Sequence, residues 1–500
     1  MITLIPRRSS LYKVTCFLFI WLIGHYGGLA QQKGKDLVSY VNTLQGTNSS
    51  PAYSTGNTYP TIALPFAMNF WSPQTGGNGD GWKYRYDADA IRGFGQTHQC
   101  SPWMNDYGVF TLMPLTGKLE VNEDKRASKF QHKNEHGGPD YYSVRFDNGI
   151  LTEVSPTTRG ANFQFSFPTK GDAFLVLDGY TGISDFKIYP KERKITGFVK
   201  NGLFIPGNFR NYFVMEFNQK IEAYGIWDGK SGVTTEGIDM VSGEKKGIYV
   251  KFKKGTKLDV KVASSYISPE QASRNLAKEL SGKTFDQVRA SARQIWNKEL
   301  RKVVVEGGTD EEMKTFYSCL FRSSLFPCKF YDLDENGEPY YYSPNDGKIH
   351  AGYFYTDDGY WDTFRAKFPL YNILQPEMQG RYMNAILAVK RECGWLPSWS
   401  FPGETGGVMI GNHAISLLAD AWMKGIHTFN PDSALNYYLH EVRGSAPDGR
   451  FGRKDWSDYF VLGYIPYKNG EVGSTAKTLE YCYDDFCAYQ LAKATGNTYY

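Results

Sequence analysis

The 500-residue sequence contains few cysteines and little net charge. Its seven cysteines are scattered and include no Cys-x-x-Cys pair, which argues against a zinc site and against a disulfide framework. We expect mostly buried thiols or one incidental bridge. The formal charge of +4 falls to about +1 once Arg7, Arg8 and Lys13 near the N-terminus are set aside. No basic stripe remains to bind phosphates, so nucleic acid is not an expected partner.

Long apolar runs are also absent beyond the N-terminus. There, three basic residues precede an apolar core of about ten residues at 14–23, too short for a bilayer that needs about 20. Gly28 and Ala30 provide small residues before a cleavage site at Gln31. These features predict a signal peptide over 1–30 and export to the periplasm or medium. A retained anchor is the alternative.

From residue 31 to 266, short alternating runs are separated by Gly, Asn, Asp and Pro. Runs at 161–167, 173–178, 212–217 and 247–252 each predict a strand, and together they predict a large β-sandwich. After Ser268 the sequence becomes polar and rich in Ala, Leu, Lys and Glu. That change predicts two helices in a linker over 267–308.

From residue 309 to 500 the apolar period is helical. It predicts helices over 311–326, 363–391, 411–425, 431–442 and 475–495. In the last of these, one apolar stripe is expected, formed by Leu479, Cys482, Tyr483, Phe486, Cys487 and Leu491. The loops at 350–361 and 395–409 are long for a compact domain, and such loops usually carry function. We therefore expect a helical domain whose site is built from its loops.

The segment 357–365 has the highest density of acids and aromatics. Trp361, Asp362 and Arg365 are typical of sugar recognition, because aromatic faces stack on C–H surfaces while carboxylates and guanidinium groups bind hydroxyls. The alternative is structural: Asp362 or Thr363 caps the following helix, and Arg365 makes a local ion pair.

Two further clusters lie in the helical half. Glu404 lies in a glycine-rich loop where a ligand could approach, or it is a solvated loop acid. His413 begins an apolar helix and is either a structural residue or a ligand-binding one. Glu480 and Asp484 are four residues apart on one helix face, so their repulsion needs compensation. The helix dipole, a bound cation or an arginine could supply it.

In the β half, the segment 93–108 combines His98, Trp103 and Asp106. The sequence has no Gly-x-Gly-x-x-Gly between a strand and a helix and no Gly-x-Ser-x-Gly elbow, which argues against nucleotide chemistry and serine hydrolysis.

Taken in order, these segments resemble glycoside hydrolase family 92, the calcium-dependent exo-acting α-mannosidases. The resemblance is carried by residues 40–47, 57–68, 93–98, 360–366, 403–406, 409–413, 478–481 and 484–485. It implies an N-terminal β-sandwich followed by an (α/α)6 toroid, with the active site at their junction. It also implies release of terminal mannose from α-mannosides, with α-1,2 linkages as the first expectation. The chain departs from the family's usual His-x-His pair at Gln96, which bears on linkage.

The resemblance further implies an inverting mechanism that uses Ca2+ and a pair of carboxyl groups about 6.5–9.5 Å apart. As substrate-binding residues it suggests Asp362 and Arg365 for hydroxyls, Trp361 and Trp103 for stacking, and His98 and Glu404 as further members. The calcium ligands cannot be assigned from the sequence.

Two observations leave a second function open. A toroid of this type has about twelve helices, whereas the pattern predicts five or six after residue 308. The family's Glu-Gly-Asn and Gly-Asn-Asp-Asp segments, which carry the catalytic acid and base, are not found, so both are expected beyond Tyr500. If the chain ends there, a glycan-binding protein without turnover is the alternative. A disaccharide phosphorylase would need a phosphate site, which the sequence does not indicate.

Overall fold

The computed structural model describes residues 35–48, 58–77, 82–99, 106–403, 406–468 and 472–499. The predicted signal peptide and the predicted site residues Trp103 and Glu404 lie outside them. Among these residues, no helix combines the length and the apolar character needed to cross a membrane.

The N-terminal half of the described chain is built from strands. After a short 3-10 helix, Leu37–Tyr40, the strands in chain order are β1 (Phe70–Gln74), β2 (Ala90–Ile91), β3 (Gly93–Thr97), β4 (Thr111–Thr116), β5 (Ser128–Gly137), β6 (Tyr142–Phe146), β7 (Leu151–Pro156), β8 (Gly160–Ser166), β9 (Ala173–Asp178), β10 (Ile183–Tyr189), β11 (Lys194–Lys200), β12 (Asn211–Phe217), β13 (Ala223–Asp228), β14 (Thr234–Glu236), β15 (Met240–Glu244), β16 (Lys246–Phe252) and β17 (Lys257–Ser265). A single-turn helix, α1 (Glu123–Arg126), lies between β4 and β5. The four strands predicted from the sequence are all present.

These strands form two sheets that pack face to face. The seven-stranded sheet has the order β1-β3-β4-β9-β16-β13-β14, and the ten-stranded sheet has the order β15-β10-β11-β12-β17-β8-β7-β6-β5-β2. Their apolar inner faces share one core, in which Phe94 and Leu177 of the first sheet pack with Phe163 and Val260 of the second. In β17, buried Leu258, Val260 and Val262 alternate with more exposed polar residues, as expected for a strand with one face in a core. The predicted β-sandwich is confirmed.

Two helices cover the outer face of the larger sheet. They are α2 (Pro269–Glu279) and α3 (Phe285–Leu300), as the composition after Ser268 predicted. Ser268 caps α2 by accepting the Gln271 N–H, and Thr284 forms a reciprocal capping box with Gln287 at the start of α3. Their apolar faces bury Leu276 and Val288 against the sheet.

The C-terminal half is helical, with small strand pairs between the helices. Its helices are α4 (Asp310–Ser323), α5 (Tyr360–Thr363), α6 (Lys367–Leu374), α7 (Pro376–Cys393), α8 (Ala414–Met423), α9 (Pro431–Val442), α10 (Trp456–Leu462) and α11 (Ser474–Thr495). Its strands are β18 (Cys328–Lys329), β19 (Asp332–Leu333), β20 (Pro339–Tyr342), β21 (Ile349–Ala351), β22 (Tyr355–Thr356), β23 (Asp358–Gly359) and β24 (Trp399–Ser400). The predicted order of a β-sandwich followed by a helical domain is confirmed.

The single helix predicted over 363–391 was wrong. The chain forms α5, α6 and α7 there, with non-helical residues at Ala366 and Gln375. Pro376 explains the second break, because proline restricts the residue before it and fits the first position of a new helix. The short α10 was not predicted.

The helix predicted over 475–495 is present as α11, and its predicted apolar stripe is only partly buried. Cys487 and Leu491 are buried, whereas Leu479, Cys482, Tyr483 and Phe486 are exposed. The buried face also includes Lys477, Tyr481, Asp484, Ala488 and Ala492. A buried carboxylate therefore lies on that face beside apolar residues.

The expectation of mostly buried thiols was only partly met. Among the described residues, Cys319 and Cys482 are exposed and Cys393 is partly buried, while Cys328 and Cys487 are buried; all five are free.

The two halves share a hydrophobic core at their junction. Tyr107 and Tyr266 from the β half pack with Phe330 and Phe401 from the helical half. The rings of Tyr266 and Phe330 are stacked with centroids 4.4 Å apart. The junction is therefore a packed aromatic layer, and the 357–365 segment lies beside it.

Candidate active site

The 357–365 segment enters the site through a buried acid. Asp357 has a left-handed backbone, with φ at 70°, and donates its N–H to the Ser400 carbonyl at 2.6 Å. Its Oδ2 accepts the Tyr107 hydroxyl from the β half at 2.8 Å. Burial raises the pKa of Asp357 well above its ordinary value, which favours the neutral acid. The segment is thereby attached to both halves of the chain.

The next two acids have different surroundings. Asp358 is buried and pairs with Lys367 at 2.6 Å. The Asp362 side chain reaches solvent. Its partial desolvation and the nearby Asp358 carboxylate nevertheless raise its pKa. Neither Asp362 nor Thr363 caps a helix, because α6 begins at Lys367 without a side-chain cap. The predicted capping role was therefore wrong, and Asp362 is left accessible to a ligand.

Glu480 on α11 contacts two polar side-chain groups of the 357–365 segment. Its Oε1 accepts the indole N–H of Trp361 at 3.1 Å and also pairs with the guanidinium of Arg365. Arg365 additionally donates to the Trp361 carbonyl at 3.0 Å. The ion pair predicted for Arg365 is therefore not local, since its partner lies 115 residues further along the chain.

His413 lies on the other side of Glu480. Its Nε2 is 3.4 Å from Glu480 Oε2, and its Nδ1 is 2.9 Å from Asp484 Oδ1. Both His413 and Asp484 are almost completely buried, at 1% and 0% exposure. Asp484 Oδ2 also accepts the Asn412 N–H at 2.6 Å. The structure thus brings together His413, Glu480 and Asp484, which the sequence had separated by up to 71 residues.

An aromatic stack reinforces the same arrangement. The His413 and Phe364 rings are stacked with centroids 4.1 Å apart. The Arg365 guanidinium lies 4.3 Å from the centre of the Phe364 ring. Stacked rings and a cation over an aromatic face are both favourable contacts. The side chains of 361–365 are therefore held by α8 and α11 together.

The compensation for the Glu480–Asp484 pair is an arginine and a histidine. The helix dipole was the wrong explanation, because α11 begins at Ser474 and has no acid in its first turn. Arg365 neutralises Glu480, and His413 lies between the two carboxylates.

Sequence reasoning missed a second ion pair next to this cluster. Arg453, only 2% exposed, pairs with Asp485 at 2.9 Å, and its Nε lies 3.3 Å from the Asn412 amide oxygen. Tyr438 on α9 donates to the same Asp485 at 2.6 Å. Arg453 and Tyr438 lie in segments without a motif, so only the Asp484-Asp485 dipeptide could have indicated a basic partner.

His98 lies behind the site and does not reach the surface. It is fully buried, with Nδ1 at 2.7 Å from the Tyr107 carbonyl and Nε2 at 2.8 Å from the Tyr266 hydroxyl. Burial lowers the pKa of His98. Its ring stacks on Tyr107, which donates to Asp357. The geometry connects His98 to the 357–365 segment through Tyr107.

The described acids do not form a metal site. Among the described residues, no group of three or more Asp, Glu, His or Cys side chains is placed to hold a metal. The adjacent acids Asp357 and Asp358 already bind Tyr107 and Lys367.

Family models match both halves of the chain. The glycosyl hydrolase family 92 N-terminal domain matches residues 40–265, and the glycosyl hydrolase family 92 catalytic domain matches residues 271–500. The boundary between them falls between the end of β17 and the first turns of α2.

Solved structures show the same similarity. A family 92 inverting mannosidase from Bacteroides thetaiotaomicron is 46% identical, with a TM-score of 0.89 over 92% of this chain and 63% of that one. A family 92 α-mannosidase from the same organism, in complex with mannoimidazole, is 28% identical, with a TM-score of 0.81 over 93% of this chain and 62% of that one.

A curated relative is more distant. An uncharacterized secreted glycosidase of Arthroderma benhamiae is 24% identical over 513 residues, covering 93% of this chain and 61% of that protein. The chain therefore spans about three fifths of the length of the relatives it matches. The two domain matches, in the order and at the positions where the sandwich and the helical half are found, show that the chain belongs to glycosyl hydrolase family 92.

Proposed function

We propose that the protein is a glycoside hydrolase that releases terminal mannose from α-mannosides with inversion, and that α-1,2 linkages are its preferred substrates. The observation that carries the proposal is the cluster of Trp361, Arg365, Glu480 and His413 within the half that matches the family's catalytic domain. Support for mannose as the substrate comes from the structural relatives, which are described as mannosidases.

The exposed side chains of the cluster suit a sugar ligand. Arg365 and Asp362 are accessible, and a carboxylate beside a guanidinium can bind two neighbouring hydroxyls through charge-assisted hydrogen bonds. The indole of Trp361 adds an aromatic surface for the C–H groups of the ring. We assign Asp362 and Arg365 to hydroxyl binding and Trp361 to stacking; Trp103 and Glu404 remain further candidates, whereas the buried His98 does not contact the sugar.

The family resemblance supports calcium dependence and a catalytic acid and base that follow Tyr500. Calcium enters the proposal from that resemblance alone, since the described acids do not form a metal site. The description of a relative as secreted supports export, together with the signal-peptide pattern at 1–30.

Incubation of the full-length protein, including the segment beyond Tyr500 that is expected to carry the acid and base, with α-1,2-, α-1,3- and α-1,6-mannobiose tests the proposal. We expect mannose release, fastest from the α-1,2 isomer, with β-mannose as the first anomer seen by NMR. EDTA should abolish release and calcium should restore it; release that resists EDTA would contradict the calcium dependence. Binding of mannobiose without release would favour the glycan-binding alternative, and neither binding nor release would refute the proposal.

Asp362→Ala provides the site-directed test. Because Asp362 is exposed and caps no helix, its loss should leave the melting temperature within a few degrees of wild type while reducing mannobiose turnover or affinity at least tenfold. Glu377→Ala is the matched control, since Glu377 makes an exposed pair with Arg381 on α7. Equal effects of the two substitutions would contradict the role of Asp362.

A further inference from the structure

Glu480 makes more contacts with other side chains than a solvated acid on a helix surface usually makes. Its side chain is 15% exposed and meets three groups from two other segments: the Trp361 indole, the Arg365 guanidinium and the His413 imidazole. A surface ion pair contributes little to stability, so an acid with this many partners is better explained by what it holds in place.

The His413 ring next to the Glu480 carboxylate is held in place by its own partners. His413 Nδ1 faces Asp484, which is an acceptor only and is also bound by the Asn412 N–H, so Nδ1 carries the hydrogen. This interaction fixes the ring plane of His413, and the stacked Phe364 ring fixes it further. The His413 Nε2 has no hydrogen-bond partner among the described residues and lies 3.4 Å from Glu480 Oε2 in a fixed direction, where it would donate to that carboxylate only as an imidazolium.

On the side away from His413, the Glu480 carboxylate contacts Trp361 and Arg365, two of the proposed sugar-binding side chains. Its Oε1 accepts the Trp361 N–H at 3.1 Å, which fixes the rotation of the indole. The same oxygen pairs with Arg365, whose side chain is 54% exposed and would otherwise be free to adopt many rotamers. One oxygen thus couples the stacking surface to the hydroxyl-binding group.

We propose that Glu480 is a positioning residue, which lies against the buried His413–Asp484 pair and holds Trp361 and Arg365 in the orientation that the sugar meets. The part of this inference that concerns the sugar rests on the proposed function. The part that concerns the orientation of Trp361 does not.

The first experiment observes Trp361 directly, without a ligand. In protein labelled with 15N-tryptophan, the Trp361 indole N–H resonance is identified by its loss in Trp361→Phe. Glu480→Ala should shift that resonance to the position of an indole exposed to water. Glu480→Gln, whose amide oxygen still accepts the indole N–H, should leave it near its original position. Glu377→Ala should leave it unchanged. An unshifted resonance in Glu480→Ala would overturn the proposal.

The second experiment measures affinity for methyl α-mannoside by calorimetry. Glu480→Ala should weaken binding at least tenfold with a change in melting temperature no larger than that of Glu377→Ala, and Glu480→Gln should show a smaller loss. Wild-type affinity in Glu480→Ala would refute the positioning role. If wild-type protein binds no mannoside, the proposed function fails, while the indole resonance still decides whether Glu480 positions Trp361.

Discussion

At the scale of single residues, Asp357 and Asp358 are neighbours with opposite requirements. Both are buried, but Asp357 accepts a neutral tyrosine hydroxyl and Asp358 pairs with a lysine. Burial raises the pKa of Asp357, so no positive group is required beside it. The negative charge of Asp358, in contrast, balances the positive charge of Lys367.

Asparagine substitutions should separate the two acids. Asp357→Asn keeps an acceptor for Tyr107 and tolerates a left-handed backbone, so it should cost less than about 1 kcal/mol of unfolding free energy. Asp358→Asn leaves Lys367 without its counter-charge and should cost about 2 kcal/mol or more. Chemical denaturation measures both values. A larger loss for Asp357→Asn would contradict the raised pKa of Asp357.

Glu441 gives the molecule a pH-dependent stability. It is 2% exposed and accepts the Leu396 N–H at 2.6 Å. Burial raises its pKa from 4.5 to about 7, against the opposing effects of backbone N–H groups and of Lys390 and Arg453. Between these pH values the folded form is protonated while the unfolded form is ionised. Stability is therefore lost as pH rises through that window, by at most about 1.4 kcal/mol per pH unit.

Glu441→Gln should remove this dependence, because the amide still accepts the Leu396 N–H but does not titrate. The melting temperature of the variant minus that of wild type should rise from pH 4.5 to pH 7 and level off above it. Glu377→Gln, at an exposed position, is the control and should give a constant difference. A constant difference for Glu441→Gln as well would contradict the raised pKa.

At the scale of elements, α11 shows where sequence patterns stop being informative. Its length was predicted closely, because capping and helical periodicity are local properties. Its buried face was not, because Asp484 turns inward to meet His413, and that partner lies 71 residues away. The same reason hid the partners of Arg365 and Asp485. The strands, the two helices after Ser268 and the motif residues could be read from the sequence, whereas the contacts that organise the site depend on packing between distant segments.

Two leucines on α11 test its observed orientation. Leu491 is fully buried and Leu479 is 66% exposed, although the apolar pattern had placed both on one face. Leu491→Ala should cost about 2–5 kcal/mol through the cavity that it leaves, and Leu479→Ala should stay within about 0.5 kcal/mol of wild type. Denaturant unfolding of both variants gives the comparison. Similar losses would mean that the predicted stripe is the buried one after all.

At the scale of the whole molecule, a buried arginine joins the two halves. Arg159 follows β7 and lies 2.8 Å from Asp332 of the helical half, 3.3 Å from Glu279 on α2, and 2.8 Å from the Tyr331 carbonyl that its guanidinium binds. Arg159 is 7% exposed and Asp332 is 1% exposed. Removing Arg159 leaves the buried Asp332 carboxylate without its counter-charge, whereas Arg159 would keep Glu279 if Asp332 were removed.

Arg159→Met should therefore destabilise the protein by about 3–5 kcal/mol. Adding Asp332→Asn in the same chain should recover part of that loss, because the uncompensated carboxylate is gone. Lys230→Met, in a pair whose side chains are 60% and 62% exposed, should change stability by less than about 1 kcal/mol. Calorimetric unfolding measures all three. A double variant no more stable than Arg159→Met would argue that the buried charge is not the cause.

The shared aromatic layer at the junction has a consequence for how this chain can be divided. The two family models meet between residues 265 and 271, so dividing the chain there would follow the boundary between the two matches. Such a cut would leave Tyr107 and Tyr266 on one product and Phe330 and Phe401 on the other, each exposing rings that are now buried. It would also take the Tyr107 hydroxyl away from Asp357. The two matched regions therefore share one core, and exchanging one of them between relatives requires exchanging the rings that it meets.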